Sequence, residues 1–334
     1  ASGGPASGGP ASGGSASGGS ASGGSASGGP SGGSSGGGTN GEASTAGTGG
    51  VLSSEYNVEI VYLNPLLPEI EAAFQAAQVR WEEVIIGDVP DRDFGLSPVD
   101  SGFCNQGRVP ALTTLVDDIV IYAQVDPIDG VGGVLGQASP CLVRGSGTTV
   151  AGLMVFDEED LAQIAADGIL EDLILHEMGH VIGIGTLWNS FGLLGNPSIG
   201  SFPGTVDTFF SGPLALAAFE SLGGSNYPGM KVPVENFYGG TGTRDSHWRE
   251  DTFDSELMTG ISEQTSPMPL SVLTIQSLAD IGYVVDVNVA DDYSLPGGAL
   301  SVEDSSSPPD ISMPADILDV DPLVLDSAGN ILNP

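Results

Sequence analysis

The chain has 334 residues, enough for one large domain or two modest ones around a substantial core. Its 43 acidic and 7 basic side chains, among them the single lysine Lys231, give a formal charge of −36, a field that repels nucleic acid and anionic lipid and argues against both as partners. No apolar run reaches the roughly 18 residues of a membrane-spanning helix, and a diffuse acidic excess almost without lysine suits salty surroundings as well as it suits a generic solubility surface.

The first 50 residues open with six near-identical pentapeptides, "ASGGP ASGGP ASGGS ASGGS ASGGS ASGGP", and continue mostly as Gly, Ser, Thr and Ala. Collagen needs Gly at every third position, which this repeat does not provide, so a flexible tether is expected over residues 1–50. The chain begins with Ala and shows no basic-then-apolar leader, so any signal peptide is expected to lie outside this sequence.

From Tyr56 the texture changes. "YNVEIVYL" alternates and is rich in β-branched residues, which predicts a strand. In "PEIEAAFQAAQVRWEEVI", Ile70, Phe74, Ala77, Trp81 and Ile85 recur at spacings of three and four, an amphipathic helix with Pro68 at its start. "DDIVIYAQV" (117–125) predicts a second strand, and "GLMVFDEEDL" (152–161) a third that runs into a helix. Cys104 and Cys141 sit in loop-like surroundings; in an exported protein they would pair, stabilising by roughly 3 to 4 kcal/mol, whereas two cysteines so far apart do not make a zinc site. "EDLILHEMGHVIGIG" (171–185) is apolar on nearly all sides apart from its ionisable groups, so this helix should be buried. Residues 185–246 are rich in Gly and Pro around one helix-like stretch, "GPLALAAFESLGG", and "PLSVLTIQSLADIGY" predicts a later helix. Beyond about Asp291 the chain is acidic and Pro-rich, a tail or small appendage in which "LVLDSAGNIL" suggests a lone hairpin. Strands and helices in this order predict an α+β fold with a mixed sheet.

The chemistry concentrates in "LILHEMGHVIGIGTLW" (173–188). On a helix, His176 and His180 project from one face about 6 Å apart, close enough to share one metal ion. Glu177 is turned by about 100° from His176, which lets its carboxylate reach an attacking water without joining the ligands. That division of labour serves metal-assisted peptide hydrolysis, in which a glutamate takes the water's proton and passes it to the leaving amine. In a chain with three histidines a chance HExxH is improbable, and unpaired His and Glu would be costly on a buried helix. A catalytic zinc needs a third protein ligand and an open position. In the compact pattern HExxHxxGxxH, Gly183 fits the turn out of the helix, but the last position is Thr186. The remaining histidine is His247, in "DSHWRE", followed closely by "ELMTG".

With His176, Glu177, His180, Gly183, His247, Trp248 and the run Glu256, Leu257, Met258, the sequence resembles the leishmanolysin family of metzincins over about Tyr56 to Tyr293. In that family a long insertion delays the third histidine, and a methionine turn follows it. The resemblance implies one catalytic Zn2+ held by His176, His180 and His247, Glu177 as general base, and Met258 as an apolar floor beneath the metal. It implies a catalytic subdomain over 51–184, a smaller irregular and helical subdomain over 185–293 that supplies the third histidine and the methionine turn, and a cleft between them for protein or peptide substrates. The chain departs from the parasite enzymes in having two cysteines in total, no apolar tail for a lipid anchor, and Gly260 where a tyrosine two residues after Met258 would add a ligand.

Two other readings remain. One keeps the chemistry but takes a downstream carboxylate such as Glu220 as third ligand. The other is an extracellular adhesive or matrix protein in which zinc only braces the fold, although a purely structural site has no use for Glu177. Asp126, Asp129, Asp157 and Glu158 could hold Ca2+, but no EF-hand loop is present and no residue is assigned to that ion. The expected setting is extracellular or at a cell surface, and the acidic Pro-rich tail spans 294–334.

Overall fold

The computed structural model describes residues 55–104, 109–262, 268–296 and 311–332; the repetitive arm lies outside them. In chain order the elements are β1 (Val58–Tyr62), α1 (Pro68–Val84), β2 (Arg92–Asp93), β3 (Leu115–Val116), β4 (Ile119–Asp126), β5 (Gly136–Val143), β6 (Thr149–Asp157), α2 (Leu161–Asp167) and α3 (Leu170–Ile182). There follow β7 (Leu194–Gly195), β8 (Phe209–Phe210), α4 (Pro213–Ser221), β9 (Val232–Pro233), α5 (Glu250–Phe253), β10 (Ile261–Ser262), α6 (Val272–Asp280), β11 (Ile311–Ser312), β12 (Leu323–Leu325) and β13 (Ile331–Leu332).

The main sheet runs β1-β4-β6-β5-β12-β13. β1 and β4 pair in parallel, as do β4 and β6, while β5 is antiparallel to β6, so the sheet is mixed, as the sequence predicted. All nine residues of β6 are buried. Alternate side chains of β4 feed two cores: Ile119, Ile121 and Ala123 face the cluster shared with α1 and α3, and Val120 and Tyr122 the cluster that contains both cysteines. A strand covered on both faces reads as a continuous apolar run, and that is how β4 and β6 read in the sequence.

α1 begins at Pro68, whose fixed φ suits the first helical position, and Glu69 and Glu71 complement the dipole of its first turn. Its buried stripe of Ile70, Ala73, Phe74, Ala77, Trp81 and Val84 packs against α3. α3 has no polar face, being buried from Leu170 to Ile182 except at positions near its start and at Leu175. It stops at Gly183, where φ is +136° and a Cβ would lie 2.7 Å from Leu187, so the chain can leave the helix there only without a side chain.

β5 was not predicted. Its sequence, GQASPCLV, carries Gly, Ser and Pro, residues depleted in strands, and the register shifts between Pro140 and Leu142. The proline is accommodated at that irregularity. Cys141, next to it, is joined to Cys104 with the Cα atoms 5.0 Å apart.

The hairpin expected near the C-terminus forms between β12 and β13, but it does not stand alone, because Leu323 and Val324 pair in parallel with Leu142 and Val143. The Gly-rich region from 185 to 260 packs through aromatic rings instead of long elements. Trp188 lies 4.5 Å from Trp248 and 5.0 Å from Phe210, ring centre to ring centre, and all three rings are fully buried. Trp248 also donates its indole N–H to Thr274 Oγ1 of α6 at 2.7 Å. A buried indole rarely stays unpartnered, and this bond ties the loop carrying His247 to a helix.

Candidate metal centre

His176 and His180 stand one turn apart on α3, and the loop 243–247 brings His247 to meet them although 66 residues intervene. All three rings are fully buried. Their Nε2 atoms are mutually close: 2.9 Å for His176 and His180, 2.9 Å for His180 and His247, 3.1 Å for His176 and His247.

The other nitrogens fix the tautomers. His176 Nδ1 lies 2.6 Å from Leu257 O, His180 Nδ1 2.9 Å from Ile184 O, and His247 Nδ1 2.8 Å from Thr243 O. A carbonyl oxygen only accepts, so each Nδ1 carries the proton and donates it. The three Nε2 atoms are left as lone pairs aimed at one another, an arrangement that is repulsive without a cation among them. A tetrahedral ion bonded to imidazole at about 2.0–2.1 Å would set its nitrogens roughly 3.3 Å apart, close to the spacing here. The donor set therefore fits zinc.

Burial, followed by the opposing pull of Asp316 and the push of His247, leaves His176 with a pKa below the ordinary histidine value. Burial and the two neighbouring imidazoles push His180 further down. His247 goes the other way: burial lowers it, but the charge and contact of Asp316 raise it more. Glu177 is buried, and neither carboxylate oxygen has a hydrogen-bond partner among the described residues. Burial, then the charge of Asp316, raises its pKa well above that of a free glutamate. A buried carboxyl without a donor is costly unless water or a ligand meets it.

Met258 is fully buried and lies against α3, where a Cβ on Gly179 would come within 3.1 Å of its sulfur. A glycine in mid-helix costs stability, and here it permits this close approach. The turn is held by Glu256, also fully buried, whose carboxylate accepts from Met258 N at 2.7 Å, Ser271 Oγ at 2.6 Å and Thr274 Oγ1 at 2.5 Å. The same turn presents the Leu257 carbonyl to His176, and Met258 O accepts from Trp248 N at 2.9 Å, so it braces the first and third histidines together.

Thr186, the position that breaks the compact pattern, donates its hydroxyl to His180 O at 2.7 Å and closes the end of α3. Glu220, the alternative third ligand, is exposed on α4 and outside the cluster. Asp157, one of the calcium candidates, spends its carboxylate on the backbone N–H groups of Ile128, Asp129, Gly130 and Glu159, at 2.9 to 3.1 Å. Among the described residues, the clusters of three or more His, Cys, Asp or Glu close enough to share an ion are the histidine site and the trio Asp88, Asp117 and Asp118.

One member of the histidine site was not anticipated. Asp316 Oδ2 lies 2.8 Å from His247 Nε2 and 3.6 Å from His176 Nε2, and the aspartate is as buried as the histidines. Nothing in "SMPADILD" marks it, since the residue comes from a stretch where acidic residues are common and it has no fixed spacing to the helix motif.

A sequence model of the leishmanolysin peptidases matches residues 61–294, most of the chain. A relative described as a leishmanolysin homolog, from Crithidia fasciculata, is 28% identical over 194 residues, which cover 55% of this chain and 28% of that protein. The chain thus spans little more than a quarter of its relative's length. The match contains both parts of the histidine motif and the methionine turn, and it ends before Asp316. The chain belongs to the leishmanolysin family, whose members are zinc metallopeptidases.

Proposed function

We propose that the protein is a secreted zinc endopeptidase that holds one Zn2+ with His176, His180 and His247 and uses Glu177 as general base. The observation that carries this reading is the convergence of three Nε2 atoms, each on a ring whose Nδ1 faces a backbone carbonyl, beside a buried carboxylate that has no hydrogen-bond partner among the described residues. Zinc bound there supplies a Lewis acid that acidifies water and polarises the scissile carbonyl. Glu177 takes the proton of the attacking water at a carboxylate oxygen and passes it to the leaving amine, a task suited to a carboxyl whose proton affinity burial raises above that of a free glutamate. Leu257, Ile184 and Thr243 hold the three imidazoles in the tautomer that leaves Nε2 free. Met258 forms the apolar floor under the site. Substrate lies between the subdomains 51–184 and 185–293.

Export is supported by the joined cysteines Cys104 and Cys141, since such bonds persist in oxidising compartments. The reading with Glu220 as ligand is disfavoured by that residue's exposure, and a purely structural zinc leaves the buried Glu177 without a purpose.

Glu177→Gln tests the assignment. It should retain one zinc per chain and lower cleavage of an unfolded protein by about 10²- to 10⁴-fold, the range of general-base catalysis. Zinc retained with cleavage unchanged, measured in a form of the chain that cleaves, would remove Glu177 from the mechanism.

A further inference from the structure

The segment 311–318 lies across the histidine site and is bound there by backbone pairing on two sides. Ile311 and Ser312 pair antiparallel with Ser262 and Ile261, and Met313 N donates to Gly260 O at 3.0 Å. On the other side Ala138 N donates to Asp316 O at 2.7 Å, Leu318 N donates to Ala138 O at 3.1 Å, and Gln137 Nε2 donates to Ala315 O at 2.6 Å. Met313 and Leu318 are buried, and Ala315 takes a left-handed φ of +57°, uncommon for a residue with a side chain. Asp316 follows this turn and enters the site.

Among the described residues the Asp316 carboxylate accepts no hydrogen bond from any group other than the imidazole Nε2 atoms that it approaches. The three imidazole N–H groups are already committed to backbone carbonyls, so the carboxylate faces Nε2 lone pairs, and its ligand atom and theirs all lie within 4.8 Å of one another. Four electron-pair donors around one point make a closed tetrahedral site, whereas a hydrolytic zinc needs a vacant corner for water and substrate. The segment also takes both backbone groups of Ala138 on the edge of β5, the kind of edge to which an extended peptide adds as a strand.

We propose that residues 311–318 keep this protein latent, with Asp316 as a displaceable fourth ligand that fills the corner needed for water and the segment's backbone covering the edge needed for substrate. The inference rests on the zinc-peptidase reading above and adds to it a built-in block from outside the family match. Activity then requires Asp316 to leave the site.

The test uses the full chain loaded with cobalt(II), whose visible spectrum reports the ligands, in three forms: wild type, Asp316→Ala and Asp316→Asn. Acetohydroxamate, a small metal-seeking ligand, should leave the wild-type spectrum unchanged at concentrations that shift the spectrum of Asp316→Ala. The asparagine variant, which keeps the shape but loses the charge, should fall between them and serve if the alanine variant does not fold. Cleavage of an unfolded protein by the zinc forms should rise at least tenfold in Asp316→Ala. Equal hydroxamate response and equal cleavage in wild type and variants would overturn the latency proposal and leave the peptidase reading standing. A variant that opens to hydroxamate yet cleaves nothing would support the fourth ligand and overturn the peptidase reading. Failure of every form to bind cobalt would overturn both.

Discussion

The two sources of the histidines are built differently. α3 is a regular helix pressed between α1 and the sheet, and the spacing of its two histidines is set by helical geometry. His247 comes from a region of short strands and turns, held in place by stacked indoles, by the Trp248 bond to α6 and by Glu256 under the methionine turn. The first arrangement is specified locally. The second depends on contacts far away in the chain, so a defect in the aromatic cluster should disturb the metal, while an equally costly defect on the far side of the sheet should not.

Trp248→Ala is the sharpest way to break that contrast. Removing a fully buried indole should cost about 3–5 kcal/mol of stability, and it should weaken zinc affinity as well, because the preceding residue is His247. Thermal unfolding and zinc titration measure the two effects together; a large loss of stability with unchanged zinc affinity would show that His247 is held by something else.

Removing the Cys104–Cys141 bond through paired alanines opens a link across 37 residues, for a cost of about 4 kcal/mol in the chain-entropy model. Both cysteines lie in the cluster on the sheet face away from α3, so the melting temperature should fall while zinc stoichiometry stays at one. Loss of zinc here would erase the distinction between the two regions.

Asp157 adds a dependence on pH. Burial alone would raise its pKa, but the backbone N–H groups of Glu159, Asp129, Gly130 and Ile128 outweigh this and hold it below the ordinary aspartate value. The folded protein thus binds this proton less readily than the unfolded chain. The resulting stability is present above about pH 4, near the unfolded value, and is lost as the pH falls through the folded one. Asp157→Asn should cost about 1–2 kcal/mol at pH 7, and the gap from wild type should narrow in acid.

The smallest effect is expected at Asp117. Burial, then hydrogen bonding with Asp91 and the charges of Asp118, Asp91 and Asp88, raises its pKa to about 6. Here the ionised form is disfavoured on folding, so stability present below about pH 4 declines as the pH rises through 6. Asp117→Asn should raise the melting temperature at pH 7 by on the order of 1 °C, since much of this repulsion is screened by solvent. A lowered melting temperature would contradict that sign.

What could be read from the sequence follows the same division. α1, β1, β4 and β6 announce themselves by periodicity and apolar runs, because each buries side chains in a regular pattern. β5 does not, since its place comes from neighbours on both sides and its own residues are poor strand formers. His176, Glu177 and His180 stood out in the sequence because a zinc peptidase would need those types at a helical spacing, and His247 because it was the one histidine left. The carbonyls of Leu257, Ile184 and Thr243 were not, as backbone groups leave no trace in residue identity. Asp316 was hidden for another reason: one aspartate in an acidic stretch carries no signal until the chain's path brings it to the histidines.

The remote histidine and the helical pair are proposed to bind one ion. X-ray absorption at the zinc edge of the zinc-loaded full chain tests it directly. Three imidazole nitrogens and an oxygen in the first shell are expected, falling to two imidazoles in His247→Ala. A wild-type spectrum with only two imidazoles, unaltered by that substitution, would contradict it.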